Sequence, residues 1–277
     1  MHAEKIEIKI IVDNEAKDGL RAEHGFALWL EIDGQKVLFD TGQNDALLFN
    51  ADKIGVDLEN ADNLVLSHGH YDHTGGLADV LGRNHKVHVY CHAAAFLPRY
   101  SIHDGIAKPV KMTTKAMSSI GNLPETRMHW VTKSVSISGH VAISGEIPRK
   151  TDFESAGGAF YFDLDGKRAD AVSDDMALWV NSKEGLIICV GCCHAGIINT
   201  INYIKEISGI NRIHALIGGL HLVNADEKRL TKTIEFLKQE EIKKIIACHC
   251  TGEVAHQLLQ KHLHAEKGYA GLTLEMK

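Results

Sequence analysis

The stretch Ser67-His68-Gly69-His70-Tyr71-Asp72-His73-Thr74-Gly75-Gly76 decides how this chain is read, because three imidazoles and a carboxylate follow directly on the apolar, strand-like Asn63-Leu64-Val65-Leu66. His68 and His70 are two residues apart, so in an extended segment their side chains leave the chain on one side and can close on a single cation. Asp72 and His73 fall where the chain turns toward a helix and face across the loop, with Gly69, Gly75 and Gly76 expected to permit a tight bend. Four ligands so arranged suit two ions better than one. Two divalent ions about 3.5–4 Å apart can share a hydroxide, lower its pKa to about 7, and stabilise both the attacking and the leaving oxygen of a displacement. The chain has 18 histidines, so solvated loop histidines are the bland alternative. The aspartate among the ligands and the glycines on both sides favour metal. Zinc is the first choice for these donors, with manganese and iron open.

Upstream, Lys5-Ile6-Glu7-Ile8-Lys9-Ile10 alternates charge with isoleucine and reads as an opening strand rather than a secretory leader. Phe26-Ala27-Leu28-Trp29-Leu30-Glu31-Ile32, the turn Asp33-Gly34, and Lys36-Val37-Leu38-Phe39 spell a β-hairpin. Asp40-Thr41-Gly42 follows at the strand end, where Asp40 taken singly would be a helix N-cap.

Downstream, Met176–Val180 and Gly185–Val190 form a second hairpin that runs into Gly191-Cys192-Cys193-His194-Ala195-Gly196. A helix from about Ile197 leads to the strand Ile213–Ile217 and Gly218-Gly219-Leu220-His221. A further helix, from Asp226 to about Gln239, leads to Lys244–Ala247 and Cys248-His249-Cys250. Three successive strands therefore end in a histidine, and side chains at converging strand ends line one site.

Residues 98–150 differ from the rest. They hold all four prolines and carry eight basic against three acidic residues, a local charge of +5 in a chain of −6. The segment reads as an insertion of loops and short strands that covers the site and draws an anionic substrate, with Arg149 and Lys150 as candidate substrate-binding residues.

The 277 residues suffice for one large domain, residues 1–277, with the insertion inside it. No apolar run reaches the roughly 20 residues of a membrane span. A soluble, cytoplasmic protein without membrane or nucleic-acid partners is expected, and oligomeric state stays open. The six cysteines are expected to be reduced, buried thiols around ligating histidines; a structural zinc site lacks the usual paired spacing.

The His-x-His-x-Asp-His pattern, with this order of elements, resembles the metallo-β-lactamase superfamily. The resemblance implies an α/β (α+β) fold, a four-layer αββα sandwich of two mixed β-sheets with metals at one edge. It also implies that Asp40 supports the metals by accepting a hydrogen bond from a ligand histidine or constraining the loop. Leu38–Gly42, Gly145–Arg149, Gly191–Gly196, Gly218–Leu222 and Cys248–Gly252 are similar to the branch that includes dihydropterin-ribofuranosyl-aminobenzene phosphate synthases and many predicted metal-dependent hydrolases. The chain departs from the β-lactamase pattern in two places. Asp170–Asp175 stands where a ligand histidine is expected, and Cys192-Cys193-His194 replaces the bridging aspartate.

The expected ligand sets are therefore His68, His70 and His194 for one ion, and Asp72, His73 and His249 for the other. His221 is either a ligand or the group that meets the substrate, and Asp175 is an outside candidate for a bridge. With Asp72 and His221 as catalytic groups, the expected activity is hydrolysis of an anionic, phosphorylated small-molecule ester by a metal-bridged hydroxide. A phosphoribosyl-donor-dependent transferase and a non-catalytic metal-binding regulator are the alternatives. An oxygen-reducing diiron protein would need a flavin partner domain, and a nuclease a basic groove; neither is legible.

Overall fold

The computed structural model describes residues 2–156 and 158–276. Two seven-stranded sheets face each other. The first runs, in spatial order, β17 (Thr273–Met276), β1 (Ile6–Val12), β2 (Ala27–Ile32), β3 (Gln35–Phe39), β4 (Asn63–Val65), β5 (His88–Cys91) and β8 (Met128–Trp130). The second runs β16 (Glu266–Lys267), β15 (Lys244–Cys248), β14 (Ile213–Gly219), β13 (Gly185–Val190), β12 (Ala177–Ser182), β10 (Val141–Ile143) and β9 (Val135–Ser136). Both sheets are mixed, antiparallel through the hairpins and parallel from β3 to β8 and from β13 to β16.

Alternation along the strands builds the layers. Ile6, Ile8 and Ile10 of β1 meet Ile187 and Cys189 of β13 and Ala215 and Ile217 of β14 in the core between the sheets. The opposite faces of the same sheets are also apolar. Trp29, Leu38 and Leu64 pack with Leu47 of α1 (Ala46–Lys53), Leu77 of α3 (Leu77–Arg83) and Ile120 of α4 (Thr114–Gly121). Ile188 and Leu216 pack with Ile201 of α5 (Ile197–Ser208), Leu237 of α6 (Glu227–Gln239) and Leu259 of α7 (Glu253–Leu263). Burial on both faces explains why the central strands read as near-continuous apolar runs. The αββα sandwich follows, since each helix must bury its single apolar stripe against a sheet.

The expected hairpin of β2 and β3 turns at Asp33 (φ 50°) and Gly34 (φ 86°), the two left-handed residues of a twist-matched two-residue turn. Residues 98–150 form loops, α4 and five short strands, three of which belong to the two large sheets. β8 extends the edge of the first sheet, and β9 and β10 extend the second. Only β6 (Tyr100–His103) and β7 (Ile106–Pro109) leave the sandwich, pairing with β11 (Phe160–Tyr161) into a three-stranded sheet. Strands of two to four residues are too short to show a period, so the sequence marks short strands in this segment without assigning them to the sheet edges. Among the described residues no helix is long and apolar enough to cross a membrane.

Candidate metal centre

The C-terminal ends of β3, β4, β13, β14 and β15 bring Asp40, the 67–73 segment, Cys192–His194, His221 and His249 together. Four of these residues hold left-handed backbone: Asp40 (φ 62°), Cys193 (φ 57°), His221 (φ 46°) and His249 (φ 45°). Such conformations are disfavoured for non-glycine residues and persist where the surroundings impose them, as at functional sites.

Asp40 is fully buried and organises the first loop. Its Oδ1 accepts from Ser67 N at 2.7 Å, and its Oδ2 accepts from Ser67 Oγ and His73 Nδ1, each at 2.7 Å. Because Ser67 Oγ donates to Asp40, it receives the Nδ1 proton of His68 at 2.8 Å, leaving His68 Nε2 as a bare lone pair. That nitrogen lies 3.0 Å from His70 Nδ1. In the Nδ1–H tautomer His70 donates to this lone pair and keeps its own lone pair on Nε2; in the other tautomer the two lone pairs face each other and a cation between them would remove their repulsion. Their spacing suits two ligands of one ion at about 2.0–2.1 Å. Gly69, Gly75 and Gly76 serve close approach rather than a positive-φ bend: a Cβ on Gly69 would lie 2.2 Å from Ala95 O, and one on Gly75 1.9 Å from Gln43 O.

The second half converges on Asp72. Its Oδ2 lies 3.2 Å from His24 Nε2, 3.3 Å from His249 Nε2 and 3.9 Å from His73 Nε2. His249 is oriented through Nδ1, which donates to Asn14 Oδ1 at 2.8 Å. His194 is oriented the same way, its Nδ1 donating to Ala156 O at 2.7 Å. Its Nε2 is buried without a partner, as is Nε2 of His70 and Nδ1 of His221. The rings of His194 and His221 lie 4.3 Å apart, and Phe160 of β11 touches His70, His194 and His221 at centroid distances of 5.0, 5.3 and 6.1 Å.

Three groups of donor atoms, each within 4.8 Å of one another, contain Cys192: one with His68 and His194, one with His73 and His249, and one with His221 and Cys250. Asp72, His249 and His24 make a fourth. The expected ligands lie in one cluster but divide differently from the sets expected: His70 is in none of the donor groups, Asp72 is grouped with His24 and His249 rather than with His73, and three further donors enter. Cys192 and Cys250 contribute sulfur, and His24 adds an imidazole. Cys192 repeats, with His194, the two-residue spacing of His68 and His70, a signal that could have found it. No local pattern marks His24, which the tertiary fold delivers.

Burial holds the imidazoles of His68 and His194 well below the usual range and pushes His70 down to about 3, so all three present neutral rings, the state that binds metal. His73 is the exception. Burial opposes its charge, but the carboxylates of Asp40 and Asp72 push it up to about 9. Buried lone pairs without partners, neutral imidazoles and nearby carboxylate and thiol donors fit divalent transition metal.

Arg149 and Lys150 are among neither the donor groups nor the residues lining the cleft into which these open. The Arg149 guanidinium donates to the carbonyls of His194 (2.5 Å), Val172 (3.1 Å) and Ala171, and the exposed Lys150 ammonium pairs with Glu206 at 3.1 Å. Arg99 of the same basic segment is completely buried against Asp174 and Asp170. Asp174 also accepts from Gly69 N at 2.7 Å, so the acidic stretch braces the histidine loop. Asp175 accepts from Ala195 N at 2.7 Å and stands behind the Cys192–Ala195 turn, in none of the donor groups. Burial pushes its carboxyl up to about 7.

The donors open into a cleft of about 370 Å³. His70, Asp72, His221 and His249 line it, with Tyr71, Ser101, His103, Val110, Phe160 and Asn224. None of the eight basic residues of 98–150 is among the residues lining it.

A family model described as the metallo-beta-lactamase superfamily matches residues 20–165. The chain is 34% identical over 269 residues to an uncharacterized protein of Methanocaldococcus jannaschii, covering 95% of this chain and 98% of the relative. It is 30% identical over 271 residues, 89% of each chain, to the 7,8-dihydropterin-6-methyl-4-(beta-D-ribofuranosyl)-aminobenzene-5'-phosphate synthase of the same organism. A crystal structure described as a metal-dependent hydrolase of the beta-lactamase superfamily superposes with a TM-score of 0.82 at 28% identity, covering 98% of this chain and 99% of the other. The chain therefore belongs to the metallo-beta-lactamase superfamily.

Proposed function

We propose that this protein is a hydrolase of small-molecule esters that works with two divalent metal ions, zinc foremost. The observation that carries the reading is the pair of donor groups, His68 with His194 and His73 with His249, which share Cys192, a residue that lines the cleft together with His249. Divalent ions held by these residues would supply Lewis acidity and an activated water near neutral pH. The chain's own groups do the rest. Asp72 Oδ2, which lines the cleft, is placed to accept a proton from the attacking water. His221, whose ring faces the cleft between His194 and Phe160, meets the substrate and donates to the departing oxygen. Phe160 and Val110 keep water from the reacting bond, while Ser101 and Asn224 offer hydrogen bonds that orient the substrate. Arg149 and Lys150 are committed elsewhere.

The second reading is transfer from a phosphoribosyl donor, favoured by the 30% identity to the M. jannaschii synthase over 89% of the chain. The same residues would then hold the pyrophosphate side of the donor while an aromatic carbon attacks the sugar. Zinc-reconstituted protein assayed against phosphoesters, lactones and a phosphoribosyl donor, with and without an aromatic acceptor, separates the two. Hydrolysis that disappears on chelation and returns with metal is expected. In that assay His221→Ala should keep its metal while kcat and kcat/KM fall together. Product formed solely when an aromatic acceptor is present would replace hydrolysis with transfer, and turnover unaffected by chelation would end both readings.

A further inference from the structure

Cys192 occupies a place that neither proposed reaction explains. Its side chain is buried at the centre of the histidine cluster, with Sγ 3.1 Å from His73 Nε2. That sulfur belongs to the group with His68 and His194 and equally to the group with His73 and His249. The backbone is built to put it there. Gly191 presses the turn onto the first loop so closely that a Cβ would meet Ser67 Oγ at 2.1 Å and Asp40 Oδ2 at 2.8 Å. Cys193 then takes a left-handed φ of 57°, and both Cys192 and His194 enter the cluster. Asp72 is the carboxylate nearest the second group, yet it is absent from the group of His68 and His194. Asp175 is spent on Ala195 N. Among the described residues no carboxylate oxygen is common to the groups of His68 and His73.

We propose that Cys192 Sγ is the ligand shared by both ions, a bridging thiolate between the His68/His194 position and the His73/His249 position. The inference rests on the reading that the centre holds two ions. On metal uptake the S–H bond breaks and its proton leaves to solvent. The sulfur lone pairs then bond both ions, with no change of oxidation state. A thiolate bridge among imidazoles makes a soft site, which selects zinc, cobalt or ferrous iron over manganese or magnesium. Cys250, in the third group with His221, lies beside the bridge at the cleft wall and is not its equal, since that group contains none of His68, His73, His194 or His249.

Titration of chelator-stripped full-length protein with Co²⁺ tests this by a signal independent of turnover. A shared thiolate gains a bond with each ion, so the sulfur-to-cobalt charge-transfer absorption should grow through the second equivalent. It should vanish in Cys192→Ser and in Cys192→Asp, and persist in Cys250→Ser. Cys192→Asp should still take up two ions, now with a relative gain for Mn²⁺, because an oxygen bridge is harder. Two bound ions without the band, a band complete after the first equivalent, or a band lost only in Cys250→Ser each overturns the bridge and leaves the dinuclear reading standing. Wild-type protein that binds fewer than two cobalt ions overturns the dinuclear reading, and the bridge with it. The wild-type titration needs no variant to fold, so a misfolded Cys192→Ser does not spare the proposal.

Discussion

Replacing Asp40 by asparagine isolates the charge beneath the metal loop. Asparagine is nearly isosteric and tolerates the left-handed backbone of residue 40, so the fold should survive. Its amide oxygen can keep the bond to Ser67 N, but an NH₂ now faces the atoms that Oδ2 served, Ser67 Oγ and His73 Nδ1. His73 can then no longer donate from Nδ1. Its proton moves to Nε2, the nitrogen that belongs to the group with Cys192 and His249. Loss of such a support typically weakens metal binding by about 10–100-fold, or about 1.4–2.8 kcal/mol at 1.4 kcal/mol per tenfold. A competition titration against a chromophoric chelator should show one Kd rising in that range. The other, governed by His68 and His194, should weaken less, because Ser67 Oγ has two lone pairs and can accept from the new amide while still accepting from His68 Nδ1.

The metal-free protein gives a second reading of the same substitution. His73 has a folded pKa raised from 6.5 to about 9. Its stabilising contribution is therefore fully present below pH 6.5 and is lost as pH rises through 9. At about 1.36 kcal/mol per unit the raised pKa is worth at most about 3 kcal/mol, of which Asp40 supplies a share and Asp72 the rest. Wild type should exceed Asp40→Asn in unfolding free energy by more at pH 6 than at pH 9.5. Equal weakening of both ions together with a pH-independent stability difference would refute the assignment of Asp40 to His73.

The clamp made by Arg149 predicts that Arg149→Ala lowers stability by about 1–3 kcal/mol through loss of charged hydrogen bonds to three carbonyls, whereas Lys150→Ala, an exposed pair, changes it by less than about 1 kcal/mol. Urea unfolding measures both, and a KM for an anionic substrate that rises in Lys150→Ala would return that residue to the cleft. Asp175 has its folded pKa raised from 3.8 to about 7, so the stability tied to its protonated form is complete below pH 3.8 and lost as pH rises through 7. Asp175→Asn cannot ionise, and metal-free mutant should gain on wild type between about pH 4 and 7, by up to about 4 kcal/mol, then level off. A mutant-to-wild-type difference that is flat with pH shows that Asp175 is already ionised in the folded protein.

What the sequence determined by itself is whatever local chemistry carries. Alternating isoleucines set the first strand. Asp33-Gly34 set a turn that few other dipeptides can make. His68, His70, Asp72 and His73 are neighbours in the chain, so their spacing displays the ligand set before any folding. The strand-end histidines were legible for a related reason: a strand that stops at one edge of a sheet delivers its next residues to that edge. Tertiary structure decided everything that depends on separation along the chain. Whether Arg149 met a substrate or the carbonyl of His194 turned on which loop lay above it, and burial favoured pairing the guanidinium with backbone oxygens. His24 carries no pattern and reaches Asp72 only because its segment folds back across the cleft. Cys192 was visible as a residue near a histidine. Its position between two groups of donors arises because β4 of one sheet and β13 of the other end at a common edge, and no spacing along one strand records a distance between two sheets.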